Sequence, residues 1–270
     1  MTSTASIPAT PVASVSPIAV SAARTADLAL KHSANARTIA DLKLDLVWIA
    51  PGSFLMGSPV DEMGRSSDET QRTVLFDHEI WFGRTPVTQA QWVAVMGSNP
   101  SHFKGDELPV ETVSWDDAMA FCHMLTGRER AAGRLPNGYV YTLPTEAQWE
   151  YACRAGTTGP YAGNLDAMAW YVMNSNGTTH PVGMKLPNPW GFFDMEGNVM
   201  EWCLDWYIDH LQPDGVVTTQ NGPEAGTVRV IRGGCWSSNA ASCRSASRNL
   251  VQPGFRLSAL GFRVALVPNL

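Results

Sequence analysis

An α+β fold built largely from loops is what this chain predicts, and three observations carry the prediction. Two or three helical segments open on clear capping signals. The other apolar segments are short and bounded by turn residues, as strands are. The 270 residues include 23 Gly, 18 Pro and 10 Trp, so the chain turns often and packs large aromatics between its turns. A content of 44% hydrophobic and 16% charged residues is enough for a sizeable core and excludes a disordered or fibrous protein.

The elements follow in order. Residues 1–22 are nearly all Ala, Ser, Thr, Pro, Val and Ile, a low-complexity lead expected to be disordered. Leu28, Leu30, Ile39 and Leu42 lie among Ala and charges and predict a short helix within residues 23–43. Residues 1–43 are thus read as an N-terminal lead and 44–270 as one folded domain. Leu46–Ala50 and Phe54–Ser58 read as strands around a Pro51-Gly-Ser53 turn. Thr88 caps a helix from Gln89 to Met96, stopped by Gly97 and Pro100. Ser114 caps a second, with Asp117 in the capping-box position and Ala118, Phe121, Cys122 and Leu125 on one face. Thr145 caps a third with Gln148, its inner face formed by Trp149, Ala152 and Cys153 and its end by Gly156. Val228–Arg232 and Gly261–Val267 are strand candidates in an otherwise looped C-terminal half.

Charge and cysteines narrow the function. A net charge of −6 argues against nucleic acid as a partner. Apolar runs stay short of the roughly 18 residues of a membrane span. The N-terminus lacks the charged start and unbroken apolar run of a signal peptide. Cys122, Cys153, Cys203, Cys235 and Cys243 are odd in number and contain no C-x-x-C pair. Five buried thiols in a reducing compartment are the simplest reading, and a cytoplasmic location is expected. There is no G-x-S-x-G elbow and no phosphate-cradling Gly loop.

Several strings then fall into register: Met56-Gly-Ser58, Pro86-Val-Thr-Gln-Ala-Gln-Trp92, Pro109-Val-Glu-Thr-Val-Ser-Trp115 and Leu143-Pro-Thr-Glu-Ala-Gln-Trp-Glu-Tyr151. Pro187-Asn-Pro-Trp-Gly-Phe-Phe-Asp-Met-Glu-Gly-Asn198, Glu201-Trp-Cys203, Arg232-Gly-Gly234 and Gly261-Phe-Arg263 continue them. In this order, from about Leu44 to the C-terminus, the chain resembles the formylglycine-generating enzyme (sulfatase-modifying factor) superfamily. The resemblance implies a single loop-rich α+β domain of the C-type lectin type. That family holds copper-dependent oxidases, non-haem iron sulfoxide synthases and domains used only for binding.

The oxidase branch needs two close thiolates for copper. Anchored on Arg248, the family's two catalytic positions fall near Ala240 and Ser245, and neither is Cys; Cys235 and Cys243 lie elsewhere at a wider spacing. The iron branch uses an H-x-x-x-H pair, and the six histidines here lie too far apart to supply one. A catalytic site is therefore not expected; a metal-dependent oxidase with a non-standard site is the alternative. The resemblance also implies a structural calcium held by the side chains of Asp194 and Glu201 and the carbonyls of Gly197 and Val199. Hard oxygen donors on an irregular loop suit that ion.

The C-terminal segment divides its labour. Framework strings such as Arg229-Val-Ile-Arg-Gly-Gly234 and Cys243-Arg-Ser-Ala246 look like the family's. Between them, Trp236, Ser237, Ser238, Asn239, Ala241, Ser242, Ser247, Asn249, Leu250, Val251, Gln252, Phe255, Leu257, Ser258 and Leu260 form the candidate ligand-binding set. This arrangement resembles the variable proteins of diversity-generating retroelements, in which a C-terminal segment on a lectin-type fold is diversified. The expected function is ligand binding, as a receptor or display protein, with a protein or other macromolecule as partner. An apolar patch of Leu250, Val251, Phe255 and Leu257, rimmed by Ser and Asn, is its expected centre.

Overall fold

The three capped helices form where their start signals stand. Thr88, Ser114 and Thr145 each accept from the backbone three residues on, and Gln91, Asp117 and Gln148 each reach back to the cap's own N–H. Each full capping box contributes about 1 kcal/mol or more. The helices are α1 (Gln89–Met96), α2 (Trp115–Ala131) and α3 (Glu146–Arg154); Asn164 caps a further single turn, α4 (Leu165–Met168). The structure is a computed structural model that describes residues 35–209, 217–218 and 222–269. The expected disordered lead, 1–22, and the 23–34 part of the expected short helix lie outside the described residues.

Among the described residues, twelve short strands carry the rest: β1 (Arg37–Ile39), β2 (Leu44–Ile49), β3 (Gly52–Met56), β4 (Arg72–Phe76), β5 (Ile80–Gly83), β6 (Tyr139–Thr142), β7 (Met200–Trp206), β8 (Val217–Thr218), β9 (Arg229–Arg232), β10 (Arg248–Val251), β11 (Leu260–Gly261) and β12 (Ala265–Pro268). They build a five-stranded sheet in the order β1-β2-β5-β12-β6, a four-stranded sheet β10-β9-β7-β11 and a three-stranded sheet β3-β4-β8. The alternation in β2 shows why the largest sheet is central. Leu44 and Leu46 enter one core cluster with Trp92, Phe121, Trp202 and Phe262; Val47 and Ile49 enter another with Phe76, Phe82, Trp149 and Trp190. Both faces of that sheet are covered, as period-2 alternation between two cores requires.

Three expectations change. The segment 37–42 is a strand and a 3-10 turn, not a helix: Arg37–Ile39 pairs antiparallel with Leu44–Leu46, and Ile39 and Leu42 are buried in the core. The folded body therefore begins ahead of Leu44. The Gly261–Val267 strand is two strands in different sheets, β11 beside β7 and β12 between β5 and β6. At the crossover a Cβ on Gly261 would lie 2.3 Å from the Val110 carbonyl, so only Gly lets the chain pass. Finally, α3 has no outer face; all nine of its residues are buried, including Glu146, Glu150 and Arg154.

Buried charge on a loop-rich scaffold has to be paired. Arg263, fully buried, donates Nε and Nη2 to the two carboxylate oxygens of Glu201, both at 2.7 Å. The indole of Trp149 donates to the same carboxylate at 2.8 Å. The remaining guanidinium donors hold the carbonyls of Gly83, Arg84 and Phe193. One ion pair thus joins α3, β7, the β5 end and the 188–198 loop. Arg263→Met leaves Glu201 without its cation and is expected to cost about 3–5 kcal/mol in urea unfolding. Adding Glu201→Leu should recover a large part of that loss; strictly additive losses would show that the pair is not coupled.

Candidate functional site

Two buried arginines shape the surface that the C-terminal segment presents. Arg244 donates to Glu62 (2.6 Å), to both oxygens of Glu69 (2.8 and 2.6 Å) and to the Gly64 carbonyl (2.7 Å). Its Nε reaches back to the Ala241 carbonyl. Arg248 makes a two-pronged bond to Glu146 (2.6 and 2.9 Å), and its Nη1 donates to the carbonyls of Asp68 and Ile208. The loop from Pro59 to Thr70, far away in sequence, is thereby clamped onto residues 241–250. Gly64 shows how tight the clamp is: it has φ +81°, and a Cβ there would lie 2.9 Å from the Cβ of Ala241.

Most of the candidate residues lie on this surface. Ser237, Asn239, Ala241, Asn249, Leu250, Gln252, Phe255 and Leu257 are exposed; Trp236, Ser238, Ser242, Val251 and Ser258 are half-buried. Leu250, Phe255 and Leu257 are 46%, 49% and 39% exposed, as an apolar patch requires. The hydroxyl of Ser238 accepts from the Cys235 N–H, and Asn239 caps the 3-10 turn Ala240–Cys243. Trp236 serves as a brace, its indole donating to the Ser258 carbonyl and its ring edge-on to Phe103 at 5.6 Å.

Two residues leave the set. Leu260 has 0% exposure and packs in the core beside Trp202 and Phe262, because β11 tucks it against β7. Ser247 is buried, and its carbonyl is held by Arg232. Neither is available to a ligand.

Between the clamped loop and β10 the surface opens into a cleft of about 460 Å³, lined by Ser66, Ser67, Asp68, Tyr207, Asp209, Arg248, Asn249 and Leu250. Sequence reasoning found Asn249 and Leu250 but missed the loop side. Ser66-Ser-Asp68 carries no periodicity or motif, and only the fold brings it to β10.

At the two positions expected to correspond to the oxidase thiols stand a methyl and a hydroxyl. Ala240 begins the 3-10 turn, and the Tyr161 hydroxyl donates to its carbonyl. Ser245, fully buried, donates to Glu196 (3.2 Å) and accepts from the Cys153 thiol (3.5 Å). All five cysteines are free and buried. Burial pushes Cys243 up to about 12 and Cys122, Cys153 and Cys203 well above the usual thiol range, so these sulfurs are held as thiols. Burial likewise pushes Glu196 up to about 7. Among the described residues no three His, Cys, Asp or Glu side chains gather in a way that could hold a metal ion.

The Asp194–Glu201 turn is oxygen-rich and tight. Asp194 and Asn198 take left-handed φ values of 58° and 66°, and Gly197 lies against the backbone of Trp170. Asp194 is buried; it accepts from the Gly183 N–H (2.8 Å) and weakly from the Asn198 amide, and burial pushes its carboxyl up to about 6. Glu201 is already bonded to Arg263 and Trp149. The donor chemistry fits calcium at Asp194 and the two carbonyls, and at Glu201 only if that carboxylate is shared with the guanidinium.

These features agree with the comparisons. The sulfatase-modifying factor enzyme 1-like domain matches residues 33–267. The chaperone protein LppX of Paenibacillus barcinonensis is 32% identical over 80% of this chain and 86% of its own length. The formylglycine-generating enzyme of Mus musculus is 32% identical over 67% of this chain; the match spans 50% of that longer protein. Among solved structures, variable protein 1 of Treponema denticola has a TM-score of 0.78 and 34% identity, covering 87% of this chain and 99% of that one. PvdO from Pseudomonas aeruginosa has a TM-score of 0.76 and 27% identity, covering 86% and 97%. No described helix is long and apolar enough to cross a membrane. By its motifs, its loop-rich lectin-like architecture and these matches, the chain belongs to the sulfatase-modifying factor enzyme 1-like family.

Proposed function

We propose that this protein is a ligand-binding member of its family, a receptor or display protein of the retroelement variable type. It engages a protein or other macromolecule through the surface of residues 236–258. One observation carries the reading: the exposed side chains of that segment stand on a backbone held from beneath by Arg244 and Arg248. Side chains there can change without changing the scaffold, which is what a diversified surface needs. Similarity to a protein named as a variable protein supports it. The free buried thiols support the expected cytoplasmic location.

The alternative is a metal-dependent oxidase with a non-standard site. Ala240 and Ser245 at the thiol positions, and thiols kept protonated by burial, weigh against it. Incubation with copper and a cysteine peptide of the sulfatase type should yield no aldehyde; stoichiometric aldehyde would reverse the assignment. We also propose a structural calcium at Asp194, supported by its buried carboxylate and, through the family resemblance, by the carbonyls of Gly197 and Val199. Added calcium should raise the Tm of the native protein and leave that of Asp194→Ala unmoved; no shift in the native protein would sink this site.

The display reading makes two further demands. Single substitutions at Asn249, Leu250, Gln252, Phe255 and Leu257 should each alter stability by less than about 0.5 kcal/mol, whereas Arg244→Ala should cost about 3 kcal/mol or more. In the source DNA, a near-copy of the region encoding residues 229–264 should stand beside a reverse transcriptase gene and differ mainly at adenines. Absence of any such template would defeat the retroelement version.

A further inference from the structure

The cleft beside β10 contains an acid that the protein leaves half-paired. Asp68 is 8% exposed. Its Oδ2 accepts the Tyr207 hydroxyl at 2.7 Å, while its Oδ1 is buried without any hydrogen-bond partner. The one cation among the lining residues is Arg248, and its donors are committed elsewhere. Nε and Nη2 hold Glu146, and Nη1 holds the carbonyls of Asp68 and Ile208; the approach of Nη1 to the Asp68 carboxylate is only 3.6 Å. Asp209, exposed, adds a second negative charge to the same cleft. A carboxylate in this position has lost water at one oxygen without gaining a partner, so its negative charge is poorly compensated and attracts a cation into the cleft.

We propose that the cleft is an anchoring site for a cationic side chain, the guanidinium of Arg or the ammonium of Lys, presented by the protein's macromolecular ligand. The guanidinium or ammonium sits in the cleft against the Asp68 carboxylate, whose charge only the Tyr207 hydroxyl and the distant Arg248 Nη1 offset, and lies near Asp209. Asn249 and Leu250 form the wall beside it. The division is informative: Asp68, Tyr207 and Arg248 belong to the framework, whereas Asn249 and Leu250 belong to the diversified-looking set. A constant charge anchor is thereby flanked by walls that set what surrounds the cation. This inference rests on the display reading, because it names the chemistry of that surface's ligand.

The test is a titration of the full chain with N-acetyl-arginine-amide, followed by NMR, with N-acetyl-citrulline-amide as the neutral isostere. Saturable shifts at Asp68, Tyr207 and Asp209 are expected with the arginine probe, weaker at high salt and absent with citrulline. Asp209→Asn, at an exposed position, should weaken binding about threefold. Asp68→Asn should weaken it about tenfold or more, with its Tm recorded as the control on folding. A lysine probe should bind at the same residues. No saturable shift, equal binding of citrulline, or binding indifferent to Asp209→Asn and Asp68→Asn would each overturn the proposal. Such a result leaves the display reading standing, while absence of the diversification template defeats that reading without touching the titration.

Discussion

The Glu201–Arg263 pair is the constraint on which the rest of the molecule depends. A fold of short strands and long connections leaves many backbone carbonyls without a ladder partner. Arg263 binds the carbonyls of Gly83 and Phe193, and that of Arg84, which also accepts the Phe193 N–H, while its charge is balanced by a carboxylate that also binds the Trp149 indole. A hydrophobic side chain would fill the same volume but would take this donor from the Gly83 and Phe193 carbonyls. The pair therefore does what regular secondary structure does elsewhere, and it does so where the chain leaves β11 for β12. Arg232 repeats the device at β9, bonding Glu150 and the carbonyls of Ser245, Ala246 and Ser247.

That device explains what was legible in the sequence and what was not. Capping boxes are local, four residues long and chemically explicit, so Thr88, Ser114 and Thr145 announced their helices. The motif strings announced the family because they supply the buried partners, Glu146 and Glu150 for the arginines and Trp149 for Glu201. Residues 37–42 misled because Ile39 and Leu42 have a spacing compatible with a helix, yet pairing with β2 decides their conformation. Leu260 misled because it follows the exposed Leu257 and the half-buried Ser258, and the parallel pairing with β7 tucks it into the core. The cleft's loop side was invisible: nothing in Ser66-Ser-Asp68 points to a site until Arg244 folds the loop onto the C-terminal segment.

The same arginines separate two tasks that a binding protein has to keep apart. Stability resides in buried groups whose partners are framework residues: Glu62 and Glu69 for Arg244, Glu146 for Arg248. In the proposed display role, contact with a ligand would fall to side chains whose own bonds are few, such as Leu250 and Phe255. Trp236 stands at the border, half-buried and committed through its indole to the Ser258 carbonyl. Replacing it would move the loop as well as the surface, so it belongs with the scaffold in energetic terms even though part of its ring is exposed.

A surface free to vary has a weakness, since random side chains rarely supply a well-placed charge with a buried, pre-positioned partner. Holding one such group in the framework overcomes this. Asp68 is oriented by the Tyr207 hydroxyl on one oxygen and by loop anchoring through Arg248 to its own carbonyl. Its conformational cost is therefore met in folding, before any ligand arrives. In the proposed display role, variation at Asn249 and Leu250 would have only to shape the walls around a fixed anchor, a smaller demand than creating a binding site afresh.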